Sequence, residues 1–178
     1  MNGAMRFIPL VVVLVLFAVF FTMMSGDRNP KEIKSVLIDR PAPAFSLPSL
    51  EDGAAAITEA DLKTGKPLLV NFFASWCAPC RAEHENLMLL AEDFGLNIVG
   101  IAYKDTPEKS RAFLDELGSP FSVVAQDIDG RAGIEWGITG VPETFLISAD
   151  GMIRYRHWGP IVGDSLQKRL LPKLEEIQ

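Results

Sequence analysis

The sequence predicts an α/β domain behind an N-terminal apolar helix, and three observations carry that prediction. Leu68 to Phe73 is an apolar, β-prone run of the kind buried on both faces of a sheet, and helix formers follow it from Cys80 to Ala91. A second such run, Asn97 to Tyr103, follows Gly95, so strand, helix and strand have the spacing of a parallel βαβ unit. Before all of this lies Phe7 to Met24, eighteen residues without a charge.

Taken in order, the chain of 178 residues allows one modest domain plus an appendage, and 48% hydrophobic composition is ample for a core. The appendage is residues 1–24. Its apolar run is just long enough for a transmembrane helix and has no polar face, which disfavours a buried globular helix. Bulky Met23 and Met24 stand where a cleavage site needs small residues, so an uncleaved signal anchor is expected. Residues 25–34, with Gly26, Asn29 and Pro30, read as a polar tether, and 35–178 as the folded domain. Arg28, Lys31 and Lys34 beyond the span mildly oppose export on charge count, but large domains behind such a segment translocate largely regardless of flanking charge. Beyond Arg6 the chain carries 16 basic and 23 acidic residues, a net charge of −7 that disfavours nucleic acid as a partner.

Within the domain, the proline-punctuated stretch Pro41 to Leu50 approaches as an edge strand, with Phe45 and Leu47 alternating. Thr58 to Leu62 suggests a helical turn, and Gly65-Lys66-Pro67 breaks the chain before the strand at 68–73. A helix is expected over 78–93. Another starts at Thr106-Pro107, an N-cap followed by proline at the first helical position, and runs to Leu117 before Gly118. Phe121 to Ala125 reads as a short strand and Arg131 to Trp136 as a helical turn. Thr144 to Ile147, the Asp150-Gly151 turn and Met152 to His157 form a hairpin pattern, and Asp164 to Ile177 an amphipathic helix.

Cys77 and Cys80 are the only cysteines, set where the central strand hands over to its helix. The first turn of a helix has amides without partners and the positive end of the macrodipole, which favour a thiolate at Cys77 and make it the expected nucleophile. Cys80, one turn further in, can close a small disulfide; it is expected to lie deeper and to stay protonated longer. Pro79 costs little at this position because its missing N–H would have had no partner. A purely structural disulfide is a poor alternative, since a loop this short hardly restrains the unfolded chain. Zinc held by Cys77, Cys80, His84 and His157 lacks the two spaced ligand pairs usual in structural sites. Redox exchange fits best, and it calls for no cofactor and no metal.

Three segments, Trp76-Cys-Ala-Pro-Cys-Arg-Ala-Glu-His84, Val99 to Asp105 and Gly137-Ile-Thr-Gly-Val-Pro-Glu-Thr-Phe145, carry a resemblance. The first resembles the thioredoxin superfamily, and together the three are similar to the CcmG/DsbE type of thiol:disulfide interchange protein of cytochrome c maturation. The resemblance spans roughly residues 35 to 178. It implies a thioredoxin-like fold, a central mixed sheet flanked by helices, and a single-pass inner-membrane protein facing the periplasm. It further implies a protein-disulfide reductase acting on the CxxCH cysteines of apocytochrome c, or on a mixed disulfide with an apocytochrome chaperone, and re-reduced by a membrane thiol reductase of the DsbD/CcdA type.

By the same resemblance Val141-Pro142 is the site of a cis peptide beside the cysteines, with Val141 offering its backbone to substrate; a trans proline opening a strand is the alternative. Trp76 is a lip of the groove or half-buried packing. Thioredoxins keep an aspartate six residues before the first cysteine, and here that position is Asn71, which cannot ionise. The carboxylates left to move a proton or select substrate are Glu83 and Glu143, both matching glutamates of the resembling family; a solvated surface carboxylate is the alternative for each, and on composition alone it is favoured for Glu83 but not for Glu143. Two further functions stay open: a general exported reductase or oxidant, since direction is set by relative potentials, and a module that holds apocytochrome or haem without catalysis.

Overall fold

The computed structural model describes residues 7–24 and 35–177, so the expected tether at 25–34 lies outside the described residues. The chain divides into two compact units, residues 1–33 and 34–178. In the first, α1 (Ile8–Met24) is apolar all round and its side chains as far as Met23 are exposed. Among the described residues no helix is long and apolar enough to cross a membrane. The 17 residues of α1 rise about 25 Å, against a hydrocarbon core of about 30 Å.

In the second unit a small antiparallel pair, β1 (Ser46–Leu47) and β2 (Ile57–Thr58), precedes a 3₁₀ turn at Glu59–Leu62. Asp61 closes that turn by accepting from the Thr58 amide at 2.7 Å. There follow β3 (Leu68–Phe73), α2 (Ala78–Glu92), β4 (Asn97–Tyr103), α3 (Pro107–Leu117), β5 (Val123–Asp127), α4 (Arg131–Glu135), β6 (Glu143–Ile147) and β7 (Ile153–Trp158). The five long strands form one mixed sheet in the order β5-β4-β3-β6-β7. β3, β4 and β5 run parallel through helical crossovers, while β6 and β7 are antiparallel additions.

Central β3 is buried along its whole length, as its apolar run, interrupted only by Asn71, requires. Its side chains alternate. Leu69 and Phe73 join the cluster that contains Leu87 and Leu90 of α2 and Phe113 of α3, whereas Leu68, Val70 and Phe72 join Leu62, Trp136 and Phe145 on the other face. Asn71 has the parity of Leu69 and Phe73 and so faces α2. Pairing continues this row across the sheet as Val124, Gly100, Asn71, Thr144 and His157.

Two elements differ from expectation. The strand expected over 121–125 runs from Val123 to Asp127, because Phe121 is taken out of it to stack on Phe73 at 4.7 Å between ring centroids. The single helix expected over 164–177 is instead a π turn, Leu166–Leu170, followed by α5 (Leu171–Glu175). Pro172 is the cause: it has no N–H for the carbonyl four residues back, so a regular α-helical ladder cannot run through it. Leu166, Leu170 and Leu174 are still buried in the α2-side cluster.

Phe121 has room only because position 100 lacks a side chain, since a Cβ there would stand 2.8 Å from the ring. Gly100→Ala should therefore force the Phe121–Phe73 stack apart and destabilise the domain by about 1–3 kcal/mol, read as a lowered denaturation midpoint.

Candidate active site

Cys77 and Cys80 are joined as a disulfide at the start of α2. Cys77 has extended backbone angles and is the N-cap residue, and its Sγ accepts the Cys80 amide at 3.1 Å. An N–H aimed at this sulfur favours negative charge on it once the disulfide opens. Covering of the two residues is nearly equal, at 4% and 3% exposure, so Cys80 is not the markedly deeper member expected from its place in the helix. The Val141 carbonyl closes over Cys77, 3.5 Å from Sγ. While oxidised that sulfur has no proton to donate; as a thiol it has one. The Val141–Pro142 peptide is cis.

The segment that delivers Cys77 is held by Asp105, a buried carboxylate at the end of β4. It accepts from the Ser75 amide at 2.7 Å, the Ser75 hydroxyl at 3.0 Å and the Ser110 hydroxyl at 3.2 Å. Trp76 stands out from this anchor with 60% of its surface exposed, and its indole Nε1 donates to the Lys104 carbonyl at 3.1 Å. Lys104 itself holds a left-handed backbone with φ of 48°.

Beneath the disulfide sits Glu83, one turn after Cys80 and wholly buried, contrary to a surface reading. Its Oε1 accepts from Asn71 Nδ2 at 2.9 Å and its Oε2 from the Ile161 amide at 2.8 Å. Asn71 Nδ2 also donates to Thr144 Oγ1 at 2.9 Å. Burial pushes the Glu83 carboxyl up to about 7, against the smaller opposing pull of the Ile161 and Asn71 hydrogen bonds. Asn71 cannot ionise in the place thioredoxins give an aspartate, but it binds the carboxyl group that arrives from α2.

Glu143 is placed differently from expectation. It is the neighbour of Thr144 on β6, so it points to the opposite face of the sheet from α2, with Phe145 and Ile147. There it is fully buried. Oε1 accepts from the Thr139 amide and hydroxyl, both at 2.8 Å, and Oε2 meets Arg156 Nε and Nη2, both at 2.7 Å. Both oxygens are thus used inside the protein. Arg156 and Thr144 are not singled out by sequence reasoning; the signal for Arg156 is an arginine two places before Trp158, at the end of a hairpin whose partner strand begins with a glutamate.

His84 sits against Phe113 with Nε2 3.0 Å from the Gly118 carbonyl, and burial holds its pKa below the usual range. Among the described residues no group of three or more metal-ligating side chains converges.

A disulfide in a CxxC at a helix start, on this sheet, is the equipment for thiol exchange, and the comparisons agree. The AhpC/TSA family model matches residues 38–156. Over 177 residues the chain is 42% identical to the thiol:disulfide interchange protein DsbE of Yersinia pestis, covering 98% of this chain and 94% of that one. The chain belongs to the DsbE family of thiol:disulfide interchange proteins. HelX of Rhodobacter capsulatus, also a thiol:disulfide interchange protein, is 42% identical over 175 residues, 98% of this chain and 97% of its own. Among solved structures, a Chlorobium tepidum protein assigned as DsbE superposes with a TM-score of 0.63 at 29% identity, covering 79% of this chain and 99% of its own. Membership of the DsbE family makes this a thiol-disulfide oxidoreductase with a thioredoxin-like fold.

Two outcomes follow from the buried carboxylates of this DsbE-family site. The folded-state pKa of Glu83 is raised, so its contribution to stability is fully present below about 4.5 and is lost as pH rises through about 7. Denaturant unfolding of the oxidised protein should show up to about 3 kcal/mol lost across that window, and Glu83→Gln should remove most of the slope. Arg156→Met leaves Glu143 charged, buried and unpaired, and should cost about 3–5 kcal/mol in the same assay; adding Glu143→Gln should restore part of that loss.

Proposed function

We propose that this protein is a membrane-anchored reductase that donates electrons from Cys77 and Cys80 to the CxxCH disulfide of apocytochrome c, or to a mixed disulfide of an apocytochrome chaperone. The observation that carries dithiol exchange is the disulfide at the start of α2 with a buried carboxyl group one helical turn further on, and the reducing direction is supported by the resemblance to CcmG/DsbE proteins. In the reduced protein, the Cys77 thiolate attacks one substrate sulfur, the substrate disulfide breaks, and the departing sulfur takes a proton. Cys80 then loses its proton to Glu83 and attacks Cys77 Sγ; the mixed disulfide breaks, the second substrate sulfur leaves as a thiolate that takes a proton from solvent, and Glu83 returns its own proton to solvent. The oxidised Cys77–Cys80 pair is the product of that turn. A base whose pKa lies near neutrality suits proton transfer at the pH of use.

Substrate geometry is supported by Val141 and Pro142. The Val141 carbonyl lies against the reactive sulfur, where an extended peptide can pair with backbone rather than with particular side chains. Trp76 flanks the same sulfur as an exposed lip. Apocytochrome as the substrate is supported by the resemblance of the Gly137–Phe145 segment to CcmG/DsbE proteins. Glu143 contributes by holding Thr139 and not by touching substrate.

The domain limits, with residues 1–24 as anchor, 25–34 as tether and 35–178 as the exchange domain, belong to the same proposal. Apolar side chains exposed on every side of α1 favour lipid, and 17 residues is the lower end of the range that spans a bilayer. The periplasmic face of the bacterial inner membrane is the compartment in which such a reductase needs a dedicated electron donor, here a DsbD/CcdA-type membrane thiol reductase.

Cys80→Ser should accumulate a covalent complex that is absent in Cys77→Ser, and mass spectrometry of the trapped partner should identify an apocytochrome or its chaperone. Equal trapping through Cys80 in the Cys77→Ser variant would reverse the roles of the two sulfurs.

A further inference from the structure

Between the first turn of α2 and the cis-proline loop lies a concavity of about 290 Å³ lined by Pro79, Val141, Pro142, Pro160 and Trp158, together with Thr139. That volume is at the small end for ligand sites, enough for one large side chain and too little for a cofactor. No charged side chain lines it. Its one side-chain hydroxyl, that of Thr139, is already committed: it donates to Glu143 at 2.8 Å and accepts from Trp158 Nε1 at 3.0 Å. The Thr139 amide is committed to Glu143 as well.

Trp158 is 45% exposed, yet it is not loosely held. Its indole is fixed through Thr139 to Glu143, and Glu143 to Arg156, so the wall is set before anything binds. A polar side chain entering here would give up water and find no uncommitted side-chain partner, whereas an apolar one gains by burial. Pro79 belongs to the first turn of α2 and Val141 touches Cys77 Sγ, so whatever fills the concavity is continuous with the sulfur undergoing exchange.

We propose that Trp158 determines specificity by forming the wall of a subsite for an apolar side chain flanking the attacked cysteine of an extended polypeptide substrate. This rests on the reading of Cys77 as the sulfur that meets substrate. The buried Glu143–Arg156 pair acts as the positioning element for that wall.

The test uses the reduced full-length protein and two disulfide-bonded peptides identical except for leucine or asparagine at the residues flanking the attacked cysteine, a pair matched in size and opposed in polarity. The readout is the ratio of their second-order reduction rates, which cancels any change in thiol reactivity common to both. Unaltered protein should prefer the leucine peptide about tenfold. Trp158→Ser should lower the ratio to about threefold or less, and Trp158→Phe, which keeps an apolar ring, should retain most of it. Equal rates for the two peptides in the unaltered protein, or an undiminished ratio in Trp158→Ser, would overturn the subsite while leaving the role of Cys77 intact. No reduction of either peptide by the unaltered protein would overturn the reading of Cys77 and the subsite with it.

Discussion

The hydrogen bonds that Glu83 makes below the disulfide are the constraint on which the rest of the domain depends. A carboxyl group taken fully out of water is costly unless its oxygens are matched, and here one is matched by Asn71 of the central strand and the other by the Ile161 amide after β7. Those two bonds tie the helix carrying the cysteines to the sheet and to the segment after β7 at once. Ile161, Leu166 and Leu170 then pack in the same apolar cluster as Cys80 and Leu87, so the proton-bearing group and the core that surrounds it are built from the same elements. Because the carboxyl is poised near neutrality, the site is held together by a group that can also change its charge.

A second buried carboxylate, Glu143, serves the other face of the sheet. Its partner Arg156 lies over the Phe145 ring at 5.8 Å, so the ion pair is enclosed by the aromatic cluster of Phe72, Trp136 and Phe145. Paired burial of this kind adds little net stability compared with apolar packing, but breaking it is expensive. Its effect is to specify where the Thr139–Val141 loop sits. The two carboxylates therefore serve opposite faces of the sheet: Glu83 ties α2 to the central strand, and Glu143 fixes the loop that carries Thr139.

Much of this was legible in the sequence. The apolar run at 68–73 and the proline-marked start of α3 announced their elements, and Cys77 through Cys80 announced the chemistry, because each is a local pattern with a local cause. What escaped is non-local. Glu83 looks like a solvated helix residue until the amide of Ile161, 78 residues away, is brought to it. The face that Glu143 occupies depends on the pairing of β6 with β3, which no periodicity within five residues reports. Pro172 was visible, but that its missing N–H would be met by a π turn over Leu166–Leu170 was not.

The adjacency of Glu143 and Thr144 gives the strand a means of rejecting wrong alignments. If β6 slipped by one residue against β3, every side chain would change faces. Glu143 would then come under α2, where Asn71 and Glu83 already form a closed polar arrangement, and Arg156 would be left charged among aromatic rings. Thr144 would enter the aromatic layer and leave Asn71 Nδ2 one acceptor short. An alternation of valine and isoleucine in β6 would bury either way with little penalty. With this dipeptide only one alignment satisfies both faces, so the loop from Gly137 to Pro142 can vary in sequence far more easily than in length.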